Sequence, residues 1–144
     1  MVITAHGIPD LYDLFPAAPS DSVIVDELID HLQDQLLLGD KGFINDERRQ
    51  ARFYNQGLWI ITFRRHNMHQ QNSLWEQKLL KDHRSLVETV FSQLNGHMHI
   101  QSTGAKTDVG LAKRVLGIVT AYTLGIFLNF KLQRPLLKVK DLFA

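Results

Sequence analysis

Two short stretches hold the residues best suited to chemistry. In Leu38-Gly39-Asp40-Lys41-Gly42-Phe43 a carboxylate stands where an apolar strand runs into a glycine turn. In His83-Arg84-Ser85-Leu86-Val87-Glu88-Thr89-Val90-Phe91-Ser92-Gln93-Leu94 a second stands on a helix, one turn after an arginine. Carboxylate oxygens are the donors that hard divalent cations prefer, and Asp40 and Glu88 together look like two members of a metal-binding carboxylate triad. Arg84 and Glu88 are four apart and share a helix face, with Lys81, three before Arg84, on it too. The plainer alternative is a surface ion pair that contributes roughly 0.2–0.5 kcal/mol. Against it, Val87, Val90 and Phe91 set Glu88 beside an apolar stripe, from which a carboxylate could reach a neighbouring sheet.

The elements that must position these residues follow from local patterns. Residues 2–5, the turn His6-Gly7 and residues 8–15 read as a hairpin, with Pro9 restricting its second strand to an edge or a strand start. Pro16 and Pro19 break the pattern, and Ser20-Asp21-Ser22 offers caps for an amphipathic helix marked by Val25, Leu28, Ile29 and Leu32. Leu36-Leu37-Leu38 is a short apolar run closed by Gly39-Asp40, which suits a buried parallel strand with Asp40 at its C-terminal end. Asn45 can cap the next helix, Asp46 and Glu47 suit the positive end of its dipole, and Gly57 can close it. Residues 58–63 have the β-branched and aromatic content of another buried strand, followed by Arg64-Arg65-His66-Asn67 and a loop.

Ser73-Leu74-Trp75-Glu76 is a capping box, a helix start worth about 1 kcal/mol. That helix should run to Leu94, with Asn95-Gly96 ending it; Leu79, Leu86, Val90 and Leu94 keep helical spacing, and Val87 and Phe91 widen the stripe. Thr107-Asp108 opens a last, long apolar helix that Pro135 cannot continue. Strands alternating with helices imply an α/β fold, a sheet covered on both faces.

A chain of 144 residues without cysteine is the size of one domain and has no disulfide or thiolate metal site. It lacks the basic segment and apolar run of a signal peptide, so a reducing cytoplasm is the expected location. Residues 115–130 are sixteen uncharged residues in a row; a spanning helix needs roughly 20 apolar ones, and Thr120, Tyr122, Thr123 and Asn129 interrupt these, so a buried core helix is expected and no membrane partner. Charge is divided unevenly: residues 1–40 hold eight acids and no Lys or Arg, residues 41–144 sixteen Lys or Arg against seven acids. A basic surface of that kind favours polyanions such as nucleic acid.

At this point the sequence resembles the transposases of bacterial insertion sequences that use an Asp-Asp-Glu triad on a ribonuclease-H-like fold. Asp40-Lys41-Gly42-Phe43 is similar to the stretch carrying their second Asp, and residues 84–94 to the helix carrying their final Glu. Ile60-Ile61-Thr62, with the basic turn after it, looks like the family's last strand, and residues 2–15 look like its second and third. The resemblance covers most of residues 1–130. It implies a ribonuclease-H-like mixed sheet flanked by helices, with Asp40 and Glu88 as catalytic ligands of Mg²⁺ or Mn²⁺. Two such ions about 3.5–4 Å apart activate the attacking water or DNA 3′-hydroxyl and stabilise the leaving oxygen. It also implies DNA as partner, both insertion-sequence ends and target, with Arg64, Arg65, Lys81 and Arg84 on its phosphates and Arg84 orienting Glu88.

Two departures from the pattern are plain. Many relatives show Tyr, two residues, Arg, three residues, Glu, six residues, Lys; here Lys81 holds the Tyr position and Asn95 the Lys position. The family's first Asp lies on a strand before the hairpin, and this chain has none; Asp10 and Asp13 lie on the wrong side of the hairpin to replace it. The expectation is a C-terminal portion of the catalytic domain, incomplete at its N-terminal strand, weak or inactive alone, and prone to self-association through exposed sheet edges or to complementation by the absent part.

Two other readings compete. His97-Met98-His99, with His66, His69 and His83, could form a transition-metal site, both rings of the His-x-His lying on one strand face. A noncatalytic DNA-binding or interaction module would instead use Arg48, Arg49, Arg52, Arg64 and Arg65.

Overall fold

The computed structural model describes residues 1–15, 21–40, 46–64, 66 and 71–142. Along them run β1 (Val2–Ile3), β2 (Pro9–Leu11), α1 (Asp21–Ile29), β3 (Leu36–Gly39), α2 (Asp46–Gln56), β4 (Trp59–Thr62), α3 (Leu74–Gly96), a 3-10 helix at Ile100–Ser102, α4 (Asp108–Lys131) and a second 3-10 helix at Val139–Leu142. The fold is mixed α/β, with β1 and β2 antiparallel in one two-stranded sheet and β3 and β4 parallel in another. Pro16, Pro19, Ser20 and the expected cap Asn45 lie outside the described residues. The chain divides into two compact units, one of Met1–Leu14 with Ser85–Ala144 and one of Phe15–Arg84.

In the unit Phe15–Arg84, the β3–β4 register pairs Leu36 with Trp59 and Gly39 with Thr62. The buried apolar residues are Leu28, Ile29, Leu32, Leu58, Ile60, Ile61 and Leu80, with Thr62 buried beside them in sequence; a fully buried Leu or Ile contributes about 1.5–3 kcal/mol. β3 is less covered than its apolar run suggests. Leu36 is 46% exposed and Leu37 and Leu38 are half-buried, because a strand in a two-stranded sheet keeps a free edge. Trp59 also stands open and packs at 6.0 Å, centroid to centroid, on Trp75.

α2 buries no side chain and is fastened by polar contacts. Arg52 donates through Nη1 to Asp30 Oδ1 at 2.7 Å and through Nη2 to the Asp26 carbonyl at 3.0 Å, while Arg49 Nε donates to the Ile60 carbonyl at 2.8 Å. Gly57 closes the helix at φ +67°, the left-handed conformation for which glycine is the ordinary choice.

The other unit is built on the second half of α3 and on α4. Val90, Leu94, Tyr122, Ile126 and Val139 form its core, with Ile3 and Ile8 of the hairpin packed against it. The hairpin turn is closed by Thr4 N–H to the Ile8 carbonyl at 2.8 Å, with Gly7 at φ +78°. Thr107 caps α4, its hydroxyl accepting from Gly110 N–H at 3.1 Å. Along α4, Val115, Val119, Tyr122, Ile126 and Asn129 are buried, and burial pushes the Tyr122 hydroxyl up to about 12. The reading of residues 115–130 as a buried core helix needs correction: Leu116 and Leu124 are each 55% exposed and Phe127 51%. The turns carrying Val90, Leu94 and Val139 cover one side of α4, and its opposite side is apolar as well. Among the described residues α4 is the one helix long and apolar enough to cross a membrane.

Candidate active site

Asp40 follows directly on Gly39, the last residue of β3, and is exposed. The apolar run of β3 and its parallel partner put this carboxylate at the C-terminal end of a parallel strand, the end at which open α/β sheets bind their ligands. Lys41-Gly42-Phe43, the remainder of the motif, lies outside the described residues.

Glu88 is carried by α3, and the start of that helix is as its sequence requires. Ser73 N–H donates to Glu76 Oε2 at 2.7 Å and Glu76 N–H to Ser73 Oγ at 3.2 Å, the reciprocal pair of a capping box. With its first turn anchored, the helix continues through Lys81, Arg84 and Glu88, all exposed, to Gly96. The expectation that Glu88 borders a buried stripe is met on one side only. Val90 is fully buried, but Val87 and Phe91 are each 39% exposed. α3 therefore presents Arg84, Val87, Glu88 and Phe91 on a half-apolar, open surface.

Arg64 has a definite structural task. Its guanidinium grips Asp46 with two parallel hydrogen bonds of 3.0 Å, the bidentate geometry that makes arginine–carboxylate pairs strong, and its side chain is only 11% exposed. Asn72 completes the arrangement, accepting from Arg64 N–H at 2.8 Å and donating to the Thr62 carbonyl at 3.0 Å. Together they tie the end of β4 to the first turn of α2 and to the residues before α3. Asp46 reads from sequence as a helix-dipole acid and Asn72 as loop; nothing in their spacing announces the clamp. Arg65 lies outside the described residues.

The arginines of α2 are engaged in the same way. Arg48 pairs with Asp26, Arg49 with Asp46, and Arg52 with Asp26 and Asp30. The acids of residues 1–40 thus neutralise much of the α2 charge within this unit. The hydrogen bond from Arg52, and then its charge, hold the Asp30 carboxyl below its ordinary 3.8. A depressed carboxylate stabilises the fold above its unfolded-state pKa, and that contribution is lost as pH falls through the folded-state value. Urea midpoints measured between about pH 5 and pH 2 should therefore fall more steeply for the native chain than for Arg52→Met; equal slopes would dissociate Asp30 from Arg52.

The histidines do not form the expected strand-borne pair. Residues 97 and 98 form a turn and His99 sits in the left-handed region at φ +54° as cap of the 3-10 helix, so the alternation that would align both rings is absent. His69 lies outside the described residues. Among the described residues no three His, Cys, Asp or Glu come together as a group that could hold a metal ion.

Against known proteins, the family model described as a transposase DDE domain matches residues 2–107, a span that includes Asp40, Lys81, Arg84 and Glu88 and stops at the cap of α4. No curated protein and no solved structure matches the chain. A DDE domain performs the nuclease chemistry of DNA transposition, which makes DNA its partner. With well over half of the 144 residues inside that match, the chain belongs to the DDE transposase family.

Proposed function

We propose that residues 1–144 are one partial catalytic domain of a bacterial insertion-sequence transposase, cytoplasmic, acting in metal-dependent DNA cleavage and strand transfer. Asp40 and Glu88 are its two metal-binding catalytic acids. Lys81 and Arg84 take DNA phosphates, and Arg84 orients Glu88 from one turn away. Arg64 and Arg65 extend the phosphate contacts, Arg64 by exchanging Asp46 for a phosphate. The observation that carries the reading is that the family match spans both acids, one of them at the C-terminal end of a parallel strand.

Topology lends further support. A ribonuclease-H-like sheet has its first-Asp strand at the centre, between an antiparallel and a parallel part. β1 and β2 pair antiparallel and β3 and β4 parallel, the two senses of pairing that such a sheet contains. Two carboxylates have the donor chemistry for Mg²⁺ or Mn²⁺. The family pattern has three acids and this reading assigns two, so on it the chain alone cleaves DNA weakly or not at all. The module reading has less support, since Arg48, Arg49, Arg52 and Arg64 are each paired to an acid.

Iron-mediated affinity cleavage tests the pairing of the acids without relying on activity. Fe²⁺ with ascorbate, bound in place of Mg²⁺, should cut the backbone close to both residue 40 and residue 88, and Asp40→Asn should suppress both cuts. Cutting elsewhere, or cuts indifferent to that substitution, would mean that the two acids share no metal.

A further inference from the structure

The unit built on α4 contains an open groove of about 1120 Å³ that the proposed chemistry does not use. Four of its side chains are basic: His97, His99, Arg114 and Lys140, with Asp141 the one acid among those lining it. Met98, Ile118 and Ala121 give it apolar surface. Among the described residues neither Arg114 nor Lys140 takes part in an ion pair, in contrast to the neutralised arginines of α2. Residues 97–144 hold seven Lys or Arg against two Asp, a balance of +5.

Gly117 supplies a second, independent observation. It lies within α4, where glycine weakens a helix relative to alanine, and a Cβ added there would meet nothing within 4 Å. No packing among the described residues calls for a glycine at this point. It lines the groove, where a bare backbone lets a ligand approach closely.

We propose that this groove binds a single-stranded segment of DNA, its phosphates on Arg114 and Lys140 and its bases against Met98, Ile118, Ala121 and the imidazoles of His97 and His99. This rests on the DNA-directed reading of the chain and extends it to α4, beyond the last residue of the family match. A duplex offers phosphates alone to such a surface, whereas a single strand offers phosphates and base faces, which apolar side chains and imidazole rings accept.

Fluorescence anisotropy with the full chain and labelled oligothymidylate of about 15 nucleotides, in the absence of divalent metal, tests it. The single strand should bind more tightly than a duplex of the same length. Arg114→Gln with Lys140→Gln should weaken it about 20-fold at about 0.1 M salt and reduce the slope of log affinity against log salt by about 1.4. Gly117→Leu should also weaken binding while leaving the thermal midpoint unchanged or raised, so its effect is not one of misfolding. Lys113→Gln with Lys131→Gln removes the same charge from α4 outside the groove and should cost less than half as much on the logarithmic scale. Tighter binding of duplex, no binding of either DNA, native affinity in the Arg114/Lys140 variant, or an equal loss in the Lys113/Lys131 control would each overturn the groove assignment. The iron cleavage pattern at residues 40 and 88 needs no DNA and reports separately on the transposase reading.

Discussion

Cleavage of plasmid DNA by this chain in Mg²⁺ or Mn²⁺ should be weak or undetectable, and should rise by more than about 100-fold when a polypeptide bearing the family's first Asp on its strand is supplied. The figure is a lower bound: losing an outer-shell partner of a metal site already costs 10–100-fold, and here an inner ligand is being provided. Two effects act together. On the proposed reading the added acid raises the count of carboxylates from two, and the added strand pairs with the free edge of β3 in its two-stranded sheet, fixing the direction in which Asp40 leaves its strand. In the completed protein, Asp40→Asn or Glu88→Gln should return nicking to background. Strong nicking by the 144 residues alone, abolished by the same substitutions, would show that the third acid is already present. Nicking insensitive to both substitutions would remove Asp40 and Glu88 from the chemistry.

The second large effect is on stability. Gly125→Val should destabilise its unit by about 3 kcal/mol, the upper range for overpacking a core, read as a drop in the urea midpoint by far-ultraviolet circular dichroism. Even the first added carbon would lie 2.5 Å from Val139 Cγ1, and Val139 is 1% exposed, with little room to withdraw. Relief has to come from the partner. Gly125→Ala should be harmful alone and milder with Val139→Ala, because residues in contact do not add independently. Identical losses in both backgrounds would mean that a neighbour other than Val139 demands the glycine, since helix propensity by itself favours alanine.

What could be read from the sequence was whatever a few neighbouring residues decide among themselves. The capping box at Ser73 and Glu76, the Thr107 cap, the Gly57 terminus and the glycine turn after Ile3 all depend on local hydrogen bonds or dihedral preference. So does the strand Leu36–Gly39 that ends at Asp40, whose apolar run and following glycine mark its limits. What could not be read is which apolar surfaces find cover. Val87, Phe91, Leu116 and Leu124 have the spacing of core residues, yet coverage depends on partners distant in the chain. The bidentate hold of Arg64 on Asp46 escapes for a related reason: eighteen residues separate them, and either could as well face water. Of the candidate site, the positions of Asp40 and Glu88 on their elements were legible; the pairing of the arginines that surround Asp40 in sequence was not.

Both tryptophans, Trp59 and Trp75, lie within Phe15–Arg84 and rest on one another. Their emission is a private signal of that unit. A titration followed by tryptophan fluorescence would report on the surroundings of the Asp40 strand, where Trp59 pairs with Leu36. The unit that holds the groove on α4 contains no tryptophan, so an optical assay of that groove calls for a label placed within it.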